Sequence, residues 1–232
     1  MFTDPIRIAI TGLGAITALG EGWRATWERI LAGQSGIAPI QAWDTTRYRT
    51  SMAGEIKSFE PLRHFPPKQA RRLDRCHQLA IVAAREAIAE SGLTNQYDKG
   101  RCGIVLGTSL GGMLSGQHYH RALLNRGIHL WPLLYRYMNH VCADVLTAEF
   151  GFSGPRCIVS TACTASTIAM GMAMETIRSG HADMVLAGGV DPLSDFSFGG
   201  FNSMQNVSRQ PCAPFSEPIG LNTGEGAAMF IL

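Results

Sequence analysis

Short β-branched apolar runs alternate along the chain with longer stretches whose apolar residues recur at helical spacing. Arg7 to Thr11 predicts a short strand closed by Gly12-Leu13-Gly14, and Gly22 through Ala32 a helix with Trp23, Trp27 and Ile30 on one face. Ser35 to Pro67 is broken by Pro39, Pro61, Pro66 and Pro67 and reads as an irregular excursion with one short strand at Ser51 to Ile56. Lys68 to Ser91 predicts a long helix capped by Gly92, with Leu79, Ala80, Ala83, Ala84, Ala87 and Ile88 spaced to share a buried face. Cys102 to Thr108 is continuously apolar, as a strand covered on both faces is, and runs into a flexible loop, Ser109-Leu110-Gly111-Gly112. Gly116 to Asn125 and Tyr135 to Phe150 predict helices, the second closed by Gly151. Pro155 to Ser160 predicts a buried strand and Thr164 to Ser179 a helix stopped by Gly180, with Gly171 its weak point. Met184 to Gly188 follows as a strand whose Gly188-Gly189 marks a turn or a close approach, with Asp191 just beyond. Phe196 to Asn202 reads as a mobile aromatic loop, and Ala227 to Leu232 as a final strand. Such alternation predicts one α/β domain with its sites at the C-terminal ends of strands.

Composition narrows the function classes. At 232 residues the chain can bury a substantial core. Charged residues are 16% and apolar residues 46%, against about 25% charged in an average soluble domain, so much of the surface is hidden internally or against a partner. A net charge of +2, with no basic stripe interleaved with aromatics, argues against nucleic acid. The densest basic patch, Lys68 to Arg75, reads as the polar start of a helix or as a docking patch for an acidic carrier protein. No signal peptide opens the chain and no apolar run approaches the roughly 18 residues of a membrane span, so a soluble cytoplasmic protein is expected. Cysteines at 76, 102, 142, 157, 163 and 212 lack any CxxC or finger spacing; they read as reduced thiols, with neither metal nor cofactor expected. The GxG after the first strand lacks the third glycine and the acidic residue of a dinucleotide fingerprint. His118 and His120, at i and i+2, face different sides of a helix and make a poor ligand pair. The chain stops inside an apolar strand, which favours an excerpt of a longer protein.

Chemistry concentrates at Val159-Ser160-Thr161-Ala162-Cys163-Thr164-Ala165-Ser166. Cys163 falls where a strand hands over to a helix, so unpaired backbone N–H groups and the positive end of the helix dipole favour its thiolate. The same cysteine can equally be a small buried hydrophobe, because free cysteines are commonly buried and inert.

Taken in order, Ile8-Ala9-Ile10-Thr11-Gly12-Leu13-Gly14, Leu31-Ala32-Gly33-Gln34-Ser35-Gly36-Ile37, Arg72-Leu73-Asp74-Arg75, Gly107-Thr108-Ser109-Leu110-Gly111-Gly112, Gly154-Pro155, Thr161-Ala162-Cys163-Thr164, Ala187-Gly188-Gly189, Gly200-Phe201 and Gly224-Glu225-Gly226-Ala227 resemble the N-terminal half of the β-ketoacyl-acyl-carrier-protein synthases, condensing enzymes of the thiolase superfamily. The match runs nearly the whole chain and is nearer the elongating type II enzymes than the starter enzymes. It implies an α/β fold, a mixed five-stranded sheet with helices on both faces, the first half of an αβαβα sandwich, with residues 1–232 as the N-terminal domain. It also implies that Cys163 takes an acyl group as a thioester from an acyl carrier protein or coenzyme A, with its own N–H in the oxyanion hole, for condensation with a malonyl thioester in fatty-acid or polyketide synthesis. Phe201 would line the acyl pocket, and the size of Leu110 would limit chain length; both residues have core packing as an alternative. A homodimer is implied, paired through the strand before Cys163, with residues near Pro132 to Met138 reaching the partner's acyl pocket. The two histidines, lysine and phenylalanine gate of the family's second half match nothing here, so condensation would need a separate or missing C-terminal half. A non-catalytic pairing or scaffolding subunit is the alternative, and a cysteine hydrolase a third, although no His and Asp or Asn partners for Cys163 can be assigned.

Overall fold

The computed structural model describes residues 6–93, 96–217 and 219–232. Its elements are β1 (Gly12–Thr17), β2 (Gly20–Glu21), α1 (Trp23–Leu31), β3 (Ala38–Pro39), β4 (Met52–Ala53), α2 (Pro61–His64), α3 (Pro67–Ala70), α4 (Arg75–Ser91), β5 (Cys102–Gly107), α5 (Met113–Arg126), α6 (Trp131–Tyr137), α7 (Val141–Phe150), β6 (Arg156–Val159), α8 (Ala165–Arg178), β7 (Met184–Asp191), α9 (Asp195–Ser203) and β8 (Gly226–Ile231). Five long strands and the two-residue β2 form one mixed sheet in the order β2-β1-β8-β7-β5-β6. β5 runs parallel to β6 and β7, while β8 is antiparallel to both β7 and β1. Helices α4 and α7 cover one face and α8 the other. The two sides have separate cores, one around Leu79, Ile104, Leu146 and Met229, the other around Val105, Ala169, Val185 and Ala187.

β5 is buried at every residue and β7 at all but its last, which is why both read as unbroken apolar runs. α4 buries the six positions assigned to its inner face. It does not start at Lys68, however: the chain makes the short α3, then restarts at Asp74, whose carboxylate accepts from the Cys76 N–H while the Asp74 N–H donates to the His77 imidazole. That capping box fixes the true start of the helix. The basic patch is thereby divided. Lys68, Arg71 and Arg72 are exposed before the helix, whereas Arg75 turns inward to a bidentate pair with Glu225 at 2.7 Å.

Glycines account for two further differences. The first strand is Gly12–Thr17 rather than Arg7–Thr11, because Gly12 and Gly14 are sheet positions pressed against α4: a Cβ at Gly14 would lie 1.9 Å from the Ala83 carbonyl oxygen. Gly188 and Gly189 likewise lie inside β7 as close approaches rather than a turn, Gly188 against the Ala228 carbonyl and Gly189 against Ser166. Two helices also depart from the pattern. Tyr135 to Phe150 breaks at an extended Met138 into α6 and α7, and the break leaves Asn139 free to reach the end of β5. Phe196 to Asn202 is α9, because Ser194 caps it through the Ser197 N–H and Phe198 is fully buried edge-on against Trp43 and Tyr48.

The helix behind the candidate nucleophile reaches the sheet by the same device. Gly107 and Gly189 are neighbours across the β5–β7 ladder. A Cβ on Gly107 would meet Ala165 and Ser166 backbone at 2.4 Å, and one on Gly189 would meet the Ser166 hydroxyl at 1.8 Å. With Ala165, Ala169 and Ala173 along its buried stripe, α8 therefore lies close on the sheet, its first turn over two bare glycines.

Two outcomes follow. Gly107→Ala overpacks the start of α8 and is expected to cost about 1–3 kcal/mol in urea unfolding; an unchanged midpoint contradicts the close contact. Arg75→Met strands Glu225, whose side chain is 1% exposed, and is expected to cost about 3–5 kcal/mol in the same assay. A loss below 1 kcal/mol there means that Glu225 is satisfied without its partner.

Candidate functional site

The Cys163 site is assembled where β5, β6 and β7 end and α8 begins. After β6, the segment Ala162–Thr164 makes one 3-10 turn that carries Cys163 at its centre, directly before α8. Ala162 sits in the left-handed region at φ 52°, a conformation that costs an alanine roughly 1 kcal/mol or more and turns the chain sharply from strand to helix. Thr164 closes the turn by donating its hydroxyl to the Thr161 carbonyl at 2.8 Å. Cys163 is exposed. Of the other five cysteines, Cys76, Cys102 and Cys142 are buried, and Cys157 and Cys212 half-buried. The first N–H groups of a helix have no partner within it, so this junction presents donors and positive dipole beside the sulfur.

The loop at the end of β5 is clamped next to that turn. Asp191, the last residue of β7, accepts three hydrogen bonds at one carboxylate oxygen: from the Thr108 hydroxyl at 2.8 Å, the Ser109 N–H at 3.0 Å and the Leu110 N–H at 2.8 Å. Thr108, fully buried, accepts in turn from the Gly111 N–H at 3.0 Å. Ser109 donates its hydroxyl to the Ala162 carbonyl at 3.3 Å, which ties the loop to the residue before Cys163. Asn139 donates to the Thr108 carbonyl and the Ser160 hydroxyl, each at 3.4 Å.

Leu110 is thus held, half-buried, beside the Cys163 turn. Phe201 belongs to a different element, α9, which starts just beyond Asp191; it is half-buried there. Asp191 and Asn139 are the site residues whose roles sequence reasoning missed. A lone carboxylate after a glycine pair was the visible trace of the first; nothing in the pattern pointed to the second.

His118 and His120 do point to different places. His118 lines a cavity of about 420 Å³ with Trp43, Lys57, Arg75, Gln117 and Asp195, whereas His120 lines an adjoining cleft beside Phe196 that shares Gln117, Arg121 and Asp195 with it. Neither hollow is lined by Cys163, Leu110 or Phe201. At the rim of the first, burial opposes the charge of Asp195, but hydrogen bonds from Tyr48 and Arg47 and the nearby Arg121 hold its carboxyl below the usual carboxylate range. Among the described residues no group of three His, Cys, Asp or Glu side chains is placed to hold a metal ion, and no helix is long and apolar enough to cross a membrane.

A 3-oxoacyl-[acyl-carrier-protein] synthase 2 of Staphylococcus aureus (strain MRSA252) is 34% identical over 98% of this chain and 57% of its own length. The chloroplastic 3-oxoacyl-[acyl-carrier-protein] synthase I of Hordeum vulgare is 31% identical over 99% of this chain and 54% of its own. The chain therefore spans little more than half the length of these relatives. Among solved structures, the ishigamide ketosynthase/chain length factor superposes on 98% of this chain and 58% of its own with a TM-score of 0.90 at 29% identity. The family model for the β-ketoacyl synthase N-terminal domain matches residues 6–232, and with the thiolase-like sheet and the strand-to-helix cysteine already in place, the chain belongs to the β-ketoacyl synthase family.

Proposed function

We propose that this chain is the nucleophile-bearing half of a ketosynthase. The observation that carries this reading is the exposure of Cys163 on a strained turn at the start of α8. The Cys163 sulfur attacks the carbonyl of an acyl thioester and forms an acyl-Cys163 thioester as the carrier thiol leaves, with the negative oxygen meeting backbone N–H groups at the turn, that of Cys163 among them. Both relatives are named for a 3-oxoacyl-acyl-carrier-protein, which supports a carrier protein as the acyl donor here, and the exposed Lys68, Arg71 and Arg72 offer an acidic carrier a docking surface. Leu110, fixed by Asp191, forms one wall of the acyl site and limits chain length; Phe201 lines it from α9. The acyl group then condenses with a malonyl thioester, releasing carbon dioxide, with groups from a C-terminal half that completes the synthase.

Two surfaces fit this assembly. β6 is an edge strand of the sheet, so its outer backbone groups are free to pair with β6 of a second copy in a homodimer. The outward face of α8 leaves Ile168 and Met172 each 41% exposed, an apolar surface for the C-terminal half to cover.

Incubation with an acyl thioester of carrier protein or coenzyme A, read by intact mass, is expected to add one acyl group to the wild type and none to Cys163→Ala. Equal labelling of both proteins, or none of either while the far-ultraviolet circular dichroism is that of a folded chain, contradicts the acyl-transfer reading and favours a pairing subunit.

A further inference from the structure

Two thiols that acyl transfer does not use lie in contact inside the larger core. The sulfurs of Cys76 and Cys142 are 3.3 Å apart, and both residues are 0% exposed. They come from different elements, Cys76 from the first turn of α4 and Cys142 from the first turn of α7. We propose that this pair is a redox-active dithiol, which a hydroperoxide converts to a disulfide joining α4 to α7.

The two sulfurs are already in contact. A disulfide bond is about 2.05 Å long, so closing it draws the sulfurs together by about 1.2 Å. The surroundings divide the roles of the two thiols. The contact between the two sulfurs raises the Cys76 thiol and lowers that of Cys142; burial opposes the Cys142 thiolate, and His77 favours it. The His77 Nδ1 accepts from the Asp74 N–H, which fixes the ring beside the start of α4. Cys142 is thus the attacking sulfur and Cys76 the resolving one.

In the first step the Cys142 thiolate attacks the distal oxygen of the hydroperoxide, the O–O bond breaks, and the alcohol (water, from hydrogen peroxide) leaves as Cys142 becomes a sulfenic acid. In the second, the Cys76 sulfur attacks the sulfenic sulfur, the S–O bond breaks and water leaves with the Cys76 proton. Two thiols lose two electrons in total and the hydroperoxide gains them. The cross-link ties the start of α4, which also holds α5, to the start of α7, whose neighbour Asn139 reaches the loop beside Cys163. Asp74, which caps α4 at the Cys76 N–H, also accepts from the Ser115 N–H at 2.7 Å in α5, and Asn139, three residues before Cys142, holds the Thr108 carbonyl.

The test treats the folded full chain with hydrogen peroxide, removes the peroxide, unfolds the chain in urea with iodoacetamide present to trap remaining thiols, and maps peptides without reduction. A second arm carries Cys163→Ala, so that the exposed thiol cannot shuttle the oxidation. The expected result in both arms is a Cys76–Cys142 cross-linked peptide, a mass loss of about 2 Da for the two hydrogens removed, and return to two free thiols with dithiothreitol. Cys142→Ser should instead lose the cross-link, leaving Cys76 recovered as a thiol. Recovery of both cysteines as free thiols once Cys163 is oxidised in the wild type, or pairing of either with another cysteine in the Cys163→Ala arm, overturns the proposal. The outcome does not depend on acyl transfer.

Discussion

The structure depends on how closely the first turn of α8 sits on the sheet. A helix packed on a sheet through ordinary side chains stands off by the thickness of those side chains; here Gly107 and Gly189, adjacent in the β5–β7 ladder, remove them where the helix begins. Ala165, Ala169 and Ala173 continue the contact along the axis. That seat brings the N-terminal end of α8 level with the ends of β5 and β7 and leaves the preceding turn no room to relax. Ala162 takes a left-handed backbone, and Cys163 projects outward instead of packing inward.

A second regularity is that buried or half-buried carboxylates hold the loops by accepting from backbone N–H groups. Asp191 holds Ser109 and Leu110, and Asp74 holds Cys76 and Ser115. Glu225 holds Ile56 and Leu193 while paired with Arg75, and Glu86 holds Ala15 and Trp23. Each joins segments far apart in sequence, and each would be costly to leave unpaired. A chain with only 16% charged residues thus uses several of its carboxylates as internal fasteners.

How much was legible in the sequence follows from what each residue responds to. β5 and β8 are legible because burial selects their residues, and α8 because its apolar residues recur at helical spacing; β6 is legible as a strand but not as the buried one expected, since it lies at the sheet edge with Arg156 exposed and only Val159 buried. The glycines misled at β1 and β7 because a glycine needed for close approach looks like one needed for a turn; only the Ala83 carbonyl above Gly14 tells them apart. The breaks at Asp74 and Met138 were missed because a cap or a single extended residue leaves apolar spacing intact on both sides. Helix α9 was hidden by its two glycines, and its order comes from Phe198 against Trp43 and Tyr48, contacts of long sequence separation. At the site, the position of Cys163 was legible from local pattern, whereas the Asp191 clamp joins residues 81 to 83 positions apart.

The most direct test of the central claim, that the fold singles out Cys163, is competitive alkylation of the folded protein with limiting iodoacetamide, followed by quantitative mapping of all six cysteines. The account predicts that Cys163 is modified first and that unfolding in urea erases its lead. A folded protein in which Cys157 or Cys212 reacts as fast as Cys163 contradicts it.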